Sequence, residues 1–143
     1  MPPDKEDAMK RSLIVMSLCL SLCAMAVSAM ADFNAGLQAY RQGDYAAALR
    51  EFRADDSAQS KYYLSQMYDK GDGVAQDRVK SVEWLAKAAE QGLDVAQANL
   101  GLMYCAGYMV KQDTAEGMKW LAKAAAQGLE EAQTVLVLAK AGN

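Results

Sequence analysis

A block of residues written twice constrains this chain more than any other feature. Ser60 to Val95 aligns with Ala96 to Glu131 without a gap, at a constant offset of 36 residues. Leu64 falls on Leu100, Met67-Tyr68 on Met103-Tyr104, Gly71 on Gly107 and Val74 on Val110. Gln76-Asp77 matches Gln112-Asp113, and the run from Trp84 to Ala89 matches Trp120 to Ala125. Gln91-Gly92-Leu93 closes over Gln127-Gly128-Leu129. A repeat of this period marks a solenoid, because one unit cannot hide its apolar face and must stack on neighbours.

Each unit reads as two helices. The only prolines are Pro2 and Pro3, so nothing in the body interrupts a helix, and Ala, Leu, Gln, Glu and Lys dominate it. First helices are expected over 60–70 and 96–106, each followed by a glycine, Gly71 or Gly107, suited to a left-handed turn. Asp77 and Asp113 stand where a carboxylate caps the next helix, and Glu116 completes a capping-box spacing after Asp113. The second helices should run to Gln91 and Gln127. Val79, Val82, Leu85, Ala86 and Ala89 are expected to form the buried stripe of the first of these, with Glu83 and Lys87 paired on the opposite face. Trp84 and Trp120 recur at one repeat position, which points to packing rather than to a ligand platform.

The flanks extend the pattern. Residues 32–59 read as a degenerate first helix pair: a helix from Ala35 to Gln42, a turn at Gly43-Asp44, and a helix from Tyr45 to Arg53 with Tyr45, Leu49 and Phe52 on one side. Residues 60–95 and 96–131 are the two full repeats. Residues 132–143 begin a third unit and are expected to form a capping helix. Its Val135–Leu138 run is more apolar than a solvent-facing cap requires, so it is either core, the simpler reading, or an edge that pairs with another chain. The fold class is therefore all-α, a short α/α superhelical solenoid of helix-turn-helix repeats.

Residues 1–31 read as a signal peptide. Met9-Lys10-Arg11 is basic, Ser12 to Val27 is almost wholly apolar, and Ala29-Met30-Ala31 has the small-x-small form of a cleavage site. Residues 1–11 carry three acids and three bases, whereas a start at Met9 leaves two bases, so Met9 is the expected true start. The competing reading is a retained membrane anchor over Leu13 to Ala31. A lipoprotein site fits less well, since Leu22 precedes Cys23. Cleavage after Ala31 removes Cys19 and Cys23 and leaves Cys105, expected to be buried, as the single thiol of a periplasmic or secreted protein.

The residues Leu-x-x-Met-Tyr, Gly-x-Gly-Val, x-Asp and Trp-Leu-x-Lys-Ala-Ala-x-Gln-Gly together resemble the Sel-1-like repeats, relatives of the tetratricopeptide solenoids. Two copies carry the pattern across Ser60 to Glu131. This sequence departs from it where Ser65 replaces the glycine seen at Gly101 and where Met109 replaces the glycine seen at Gly73, so the two helix junctions should differ in angle. The resemblance implies a superhelix that serves as a protein–protein interaction scaffold or adaptor. Exported bacterial members resemble envelope-assembly adaptors, host-interaction factors and immunity proteins. Cysteine-rich relatives, discussed as β-lactam-binding or hydrolysing envelope enzymes, supply the alternative.

Chemistry finds little support. The chain has no histidine, which removes the commonest general base and metal ligand. The body contains no Ser-x-x-Lys and no Lys-Thr-Gly, and it lacks the paired cysteines of those relatives. Asp69, Asp72 and Asp77 miss the calcium-loop spacing, and Gly71-Asp72-Gly73 misses either phosphate-loop spacing. No catalytic residue, metal or cofactor is expected. A net charge of -3 argues against nucleic acid, and no membrane contact is expected once the leader is removed. The expected partner is another protein or peptide on the concave face, with a homodimer as a further option. Partner contacts should lie where the two repeats differ. On the first helices these positions are Lys61, Tyr62, Gln66, Asp69 and Lys70 against Gln97, Ala98, Leu102, Cys105 and Ala106. Tyr62, Gln66, Asp69 and Lys70, with Tyr108 at the rim, are the candidate contacts.

Overall fold

A computed structural model of the chain describes residues 33–141. The expected leader, Gly142 and Asn143 lie outside the described residues. Within them the chain forms seven helices and no strand: α1 (33–41), α2 (Tyr45–Ala54), α3 (Ala58–Lys70), α4 (Arg78–Glu90), α5 (Asp94–Ala106), α6 (Thr114–Ala126) and α7 (Glu130–Ala141). None of the described helices is long and apolar enough to cross a membrane.

Local chemistry sets the helix ends. Ser57 Oγ accepts from Ser60 N, Asp77 Oδ1 from Lys80 N at 3.0 Å, and Asp113 Oδ1 from Glu116 N at 2.9 Å. Each satisfies one N–H that the first helical turn leaves without a partner. The reciprocal half of the expected capping box does not form. The Asp113 N–H already donates to the Tyr104 carbonyl at 2.9 Å, as Asp77 N–H does to Tyr68, so the Glu116 carboxylate turns to Lys119 at 3.0 Å. Gly71 and Gly107 end α3 and α5 in the left-handed region.

Each apolar cluster crosses a boundary between units, and the last also fills the inside of one. Ala48 and Phe52 of α2 pack on Leu64 and Met67 of α3, with Phe33, Leu37, Tyr40 and Tyr63 around them. Leu85, Ala88 and Ala89 of α4 pack on Ala96 and Leu100 of α5. Leu121 and Ala124 of α6 join Ala98 and, across the next boundary, Ala132 of α7. Phe52, Leu64, Met67 and Leu121 are fully buried, each worth roughly 1.5–3 kcal/mol of transfer free energy. Because every cluster reaches across a boundary, stacking of neighbours adds to the packing within each helix pair.

Both tryptophans serve these interfaces, each half-buried. Trp84 lies against the α2–α3 cluster and Trp120 against the α4–α5 cluster. Lys87 Nζ sits 4.2 Å from the Trp84 ring centroid and Lys123 Nζ 3.9 Å from that of Trp120. That stacking explains the lysine three residues after each tryptophan, and it replaces the expected Glu83–Lys87 pair. The buried stripe of α4 is also rotated from expectation. It runs through Ser81, Leu85, Ala88 and Ala89, with Val82 and Ala86 half-buried. Val79 is two residues, roughly 200° of helix rotation, from Ser81 and is 71% exposed.

Ser81 faces inward because of the helix junction. Its Oγ meets Ser65 Oγ at 3.2 Å, buried between α3 and α4. One repeat later the same two positions are Gly101 and Gly117. A Cβ on Gly101 would stand 2.8 Å from the Gly117 carbonyl, and one on Gly117 would stand 2.6 Å from the Gly101 carbonyl. The Ser65 departure and the Ser81–Gly117 difference thus concern one contact: a hydroxyl pair in the first unit, backbone against backbone in the second. The other departure leaves the backbone unchanged. Gly73 has φ 70° and Met109 has φ 61°, so methionine holds the left-handed conformation that glycine holds one repeat earlier. At Gly73 there is no room for a side chain, since a Cβ would fall 2.7 Å from Tyr45 Cβ.

Glutamines fasten the units together. Gln91 Nε2 donates to the Asp56 carbonyl at 3.1 Å, and one repeat later Gln127 Nε2 donates to the Gly92 carbonyl at 2.9 Å and to Gln97 Oε1 at 2.8 Å. Gln97 Nε2 reaches the Ala89 carbonyl and Gln133 Nε2 the Ala125 carbonyl, at 3.0 and 3.1 Å. All but the Gln127–Gln97 bond land on a backbone carbonyl near a helix C-terminus or in a connecting loop.

Candidate protein-binding groove

A groove of about 310 Å³ opens between α3 and α5. Tyr62, Gln66 and Asp69 of α3 form one wall, and Asn99, Leu102 and Met103 of α5 form the other. Tyr108 and Met109, in the loop after α5, close one end, and Ser65, Ser81 and Leu85 lie at the floor. The two walls stand side by side because α3 and α5 are the same helix of successive repeats.

Four of the five residues singled out from sequence, Tyr62, Gln66, Asp69 and Tyr108, line this groove. Lys70 does not. Its ammonium donates to Tyr40 Oη at 3.3 Å, and that hydroxyl donates to Asp72 Oδ2 at 2.8 Å. The Tyr40 hydroxyl raises the pKa of Lys70, and burial raises that of Tyr40, so at neutral pH the first stays an ammonium and the second a phenol. This cluster ties α1 to the loop after α3. Lys61, another position where the repeats differ, is buried, with its ammonium held by the Asp56 carbonyl and carboxylate.

The groove is part rigid, part open. Asn99 Nδ2 donates to Tyr62 Oη at 3.3 Å, bracing the Tyr62 ring across the gap. Gln66 and Asp69 make no side-chain hydrogen bond to another described residue. Leu102 is 45% and Tyr108 54% exposed. The α5 wall and the closing loop are therefore apolar and aromatic, through Leu102, Met103, Tyr108 and Met109, and the α3 wall offers an amide and a carboxylate. Met103 matches Met67 and Met109 lies beyond the first helices, so neither stood out, whereas Asn99, opposite Tyr63, is a difference that comparison of the first helices offered. Leu102 carried a usable signal: an apolar residue at the position where the first repeat has Gln66.

Other candidates resolve into structural duties. Asp77 caps α4 and pairs with Lys80 at 3.1 Å, and Asp72 accepts from Tyr40. No group of three or more metal-ligating side chains gathers among the described residues. Cys105, expected to be buried, is only half-buried, with its sulfur beside Gly117 at the α5–α6 contact. Desolvation pushes its thiol pKa up, which disfavours the nucleophilic thiolate. A broader depression of about 660 Å³ follows the loop edge from Asp56 to Gln127, but it is built from the glutamine clamps and lacks aromatic anchors.

Stacked helix pairs with an open groove between equivalent helices define an α/α repeat scaffold. The Sel1 repeat model matches residues 58–93 and 94–129, two residues ahead of the 60–95 and 96–131 frame and with the same period. The chain belongs to the Sel1 repeat family, whose members are typically protein–protein interaction scaffolds and generally not enzymes. It is similar to the crystal structure of a Sel1 repeat protein from Oxalobacter formigenes, with a TM-score of 0.66 and 32% identity over 71% of this chain and 43% of that one. It is also similar to a protective antigen present in uropathogenic Escherichia coli strains that displays an SLR fold, with a TM-score of 0.66 and 38% identity over 80% of this chain and 26% of that one. The chain thus spans less than half the length of either. Comparison with curated proteins returns no significant match.

Proposed function

We propose that this chain is an exported adaptor that holds a segment of another protein in the α3–α5 groove. The observation that carries the reading is the contrast in commitment. Most polar side chains between repeats are spent on clamps, whereas Gln66 and Asp69 have no such partner and Leu102 and Tyr108 stand exposed beside them. Aromatic residues and methionine are enriched at protein interfaces. A fitting segment has an apolar side chain against Leu102, Met103 and Tyr108 and a hydrogen-bond donor or cation for Asp69. The leader-like residues 1–31 support action in the periplasm or outside the cell, as an immunity or envelope-assembly factor.

The test is affinity capture from an envelope extract with the exported chain as bait. A stoichiometric partner retained by the parent and by Lys70→Ala, but lost with Leu102→Glu or Tyr108→Ala, supports the groove. A partner retained equally by all of them refutes it. Fractionation of cells expressing the full sequence tests export, which fails if the chain stays in the cytoplasm.

A further inference from the structure

We infer that the open face of α7 is the seat of a second copy of this chain, joined through antiparallel α7 helices about a twofold axis near Thr134 and Val137. The repeat itself identifies that face. In the first unit Lys61 and Ser65 are buried, and in the second Gln97, Ala98 and Gly101 are, at positions that the following helix, α4 or α6, covers. At the third occurrence Gln133, Thr134 and Val137 are exposed. The apolar run of α7 is split accordingly. Val135 and Leu136 pack inward on the Leu121–Ala124 cluster, while Val137 and Leu138 are 65% and 66% exposed. With Glu130, Gln133 and Thr134 they line a depression of about 460 Å³. Among the described residues no helix stands there as α4 and α6 stand on α3 and α5.

Two observations choose the occupant. Val137 holds the position of Gly101, where even a Cβ would come within 2.8 Å of the neighbouring Gly117 carbonyl. A valine there keeps out a helix at the close α5–α6 spacing and suits an ordinary side-chain-mediated helix pair, with axes about 8–10 Å apart. The charges of α7 are also self-complementary. Glu130 and Glu131 lie in its first turn and Lys140 in its last, and none has an ion-pair partner among the described residues. An antiparallel copy sets Glu130 beside Lys140 of the partner subunit at both ends of the seam. It also places Val137 against the partner's Thr134 and Leu138 against the partner's Gln133. A parallel copy would oppose like charges. Such an isologous contact closes at two chains. No groove residue lies on α7, so the dimer would carry two independent grooves.

Sedimentation equilibrium of the full chain across the micromolar range tests this. A monomer–dimer equilibrium is expected, with Val137→Glu raising the dissociation constant by about tenfold or more. Because Val137 is exposed in the single chain, the melting temperature of diluted, monomeric V137E should equal that of the parent. Glu130→Lys should weaken the dimer, and adding Lys140→Glu should restore it. A chain that stays monomeric throughout the range, or a dimer indifferent to V137E, overturns the inference. Failure of the charge swap to restore association overturns the antiparallel register.

Discussion

Replacing Gly117 with alanine adds one methyl group to the α5–α6 crossing. The new Cβ would stand 2.5 Å from Cys105 Sγ, 2.6 Å from the Gly101 carbonyl oxygen and 2.9 Å from Cys105 N. The sulfur can rotate away, but the other two atoms are backbone. Bringing the carbonyl contact to 3.4 Å, where ordinary contact begins, means parting the helices by roughly 0.8 Å. A gap of that size forfeits a quarter to a half of each dispersion contact along the seam. Overpacking of this kind costs about 3 kcal/mol at the severe end. Against it stands the better helix propensity of alanine, worth about 1 kcal/mol. The net loss is about 2 kcal/mol, or a fall in Tm of roughly 8 °C for a domain of about a hundred residues. Calorimetry of Gly117→Ala, done at a concentration where the chain is monomeric, measures it. A variant as stable as the parent would refute the claim that backbone contact, rather than chance, keeps glycine at both positions.

Three further predictions follow from other contacts. Gly73→Ala should cost about 2 kcal/mol or more, since it combines a left-handed φ with a clash against Tyr45, whereas Met109→Gly should be neutral or stabilising by about 0.5 kcal/mol, both read by chemical denaturation. Gln127→Ala should lose about 1 kcal/mol by releasing Gly92 and Gln97 at once, and a double-mutant cycle with Gln97→Ala should show coupling. Asp77 has a pKa held below the ordinary carboxylate value, chiefly by the backbone N–H of Lys80 and then by its ammonium. Its contribution is therefore present above the unfolded pKa and lost as pH falls through the folded one; acid titration of Asp77→Asn, which still caps, should show a shallower loss of stability below about pH 4.

Much of the fold was legible in the sequence because the repeat writes its own rules twice. Helix ends at Gly71, Gly107, Asp77 and Asp113 follow from local chemistry, which needs no knowledge of neighbours. The apolar side of α2 was readable from Tyr45, Leu49 and Phe52. What escaped depends on rotation and reach. Ser81 looks like a surface residue until Ser65 is placed opposite it, and that pairing turns Val79 outward. Lys87 offers both Glu83 and Trp84 at helical spacing, and only packing shows that the ring takes it. The candidate groove divided along the same line: Tyr62, Gln66 and Asp69 share a helix face with Lys70 by spacing, yet Tyr40, on a distant helix, draws Lys70 away. The Val135–Leu138 run needed neither of the single readings, since alternate pairs face opposite ways.

The glutamine clamps have a consequence for how the scaffold opens. Every one of them joins a helix end to the unit next to it, and the apolar clusters do the same, so protection against solvent should be graded along the chain instead of uniform. Amide hydrogens of α3 to α5, enclosed on both sides, should exchange through the rarest openings. Those of α7, held by α6 on one side only, should exchange through frequent partial ones. A groove framed by α3 and α5 thus sits in the slowest-breathing stretch of the superhelix, where its shape is kept ready before anything enters it.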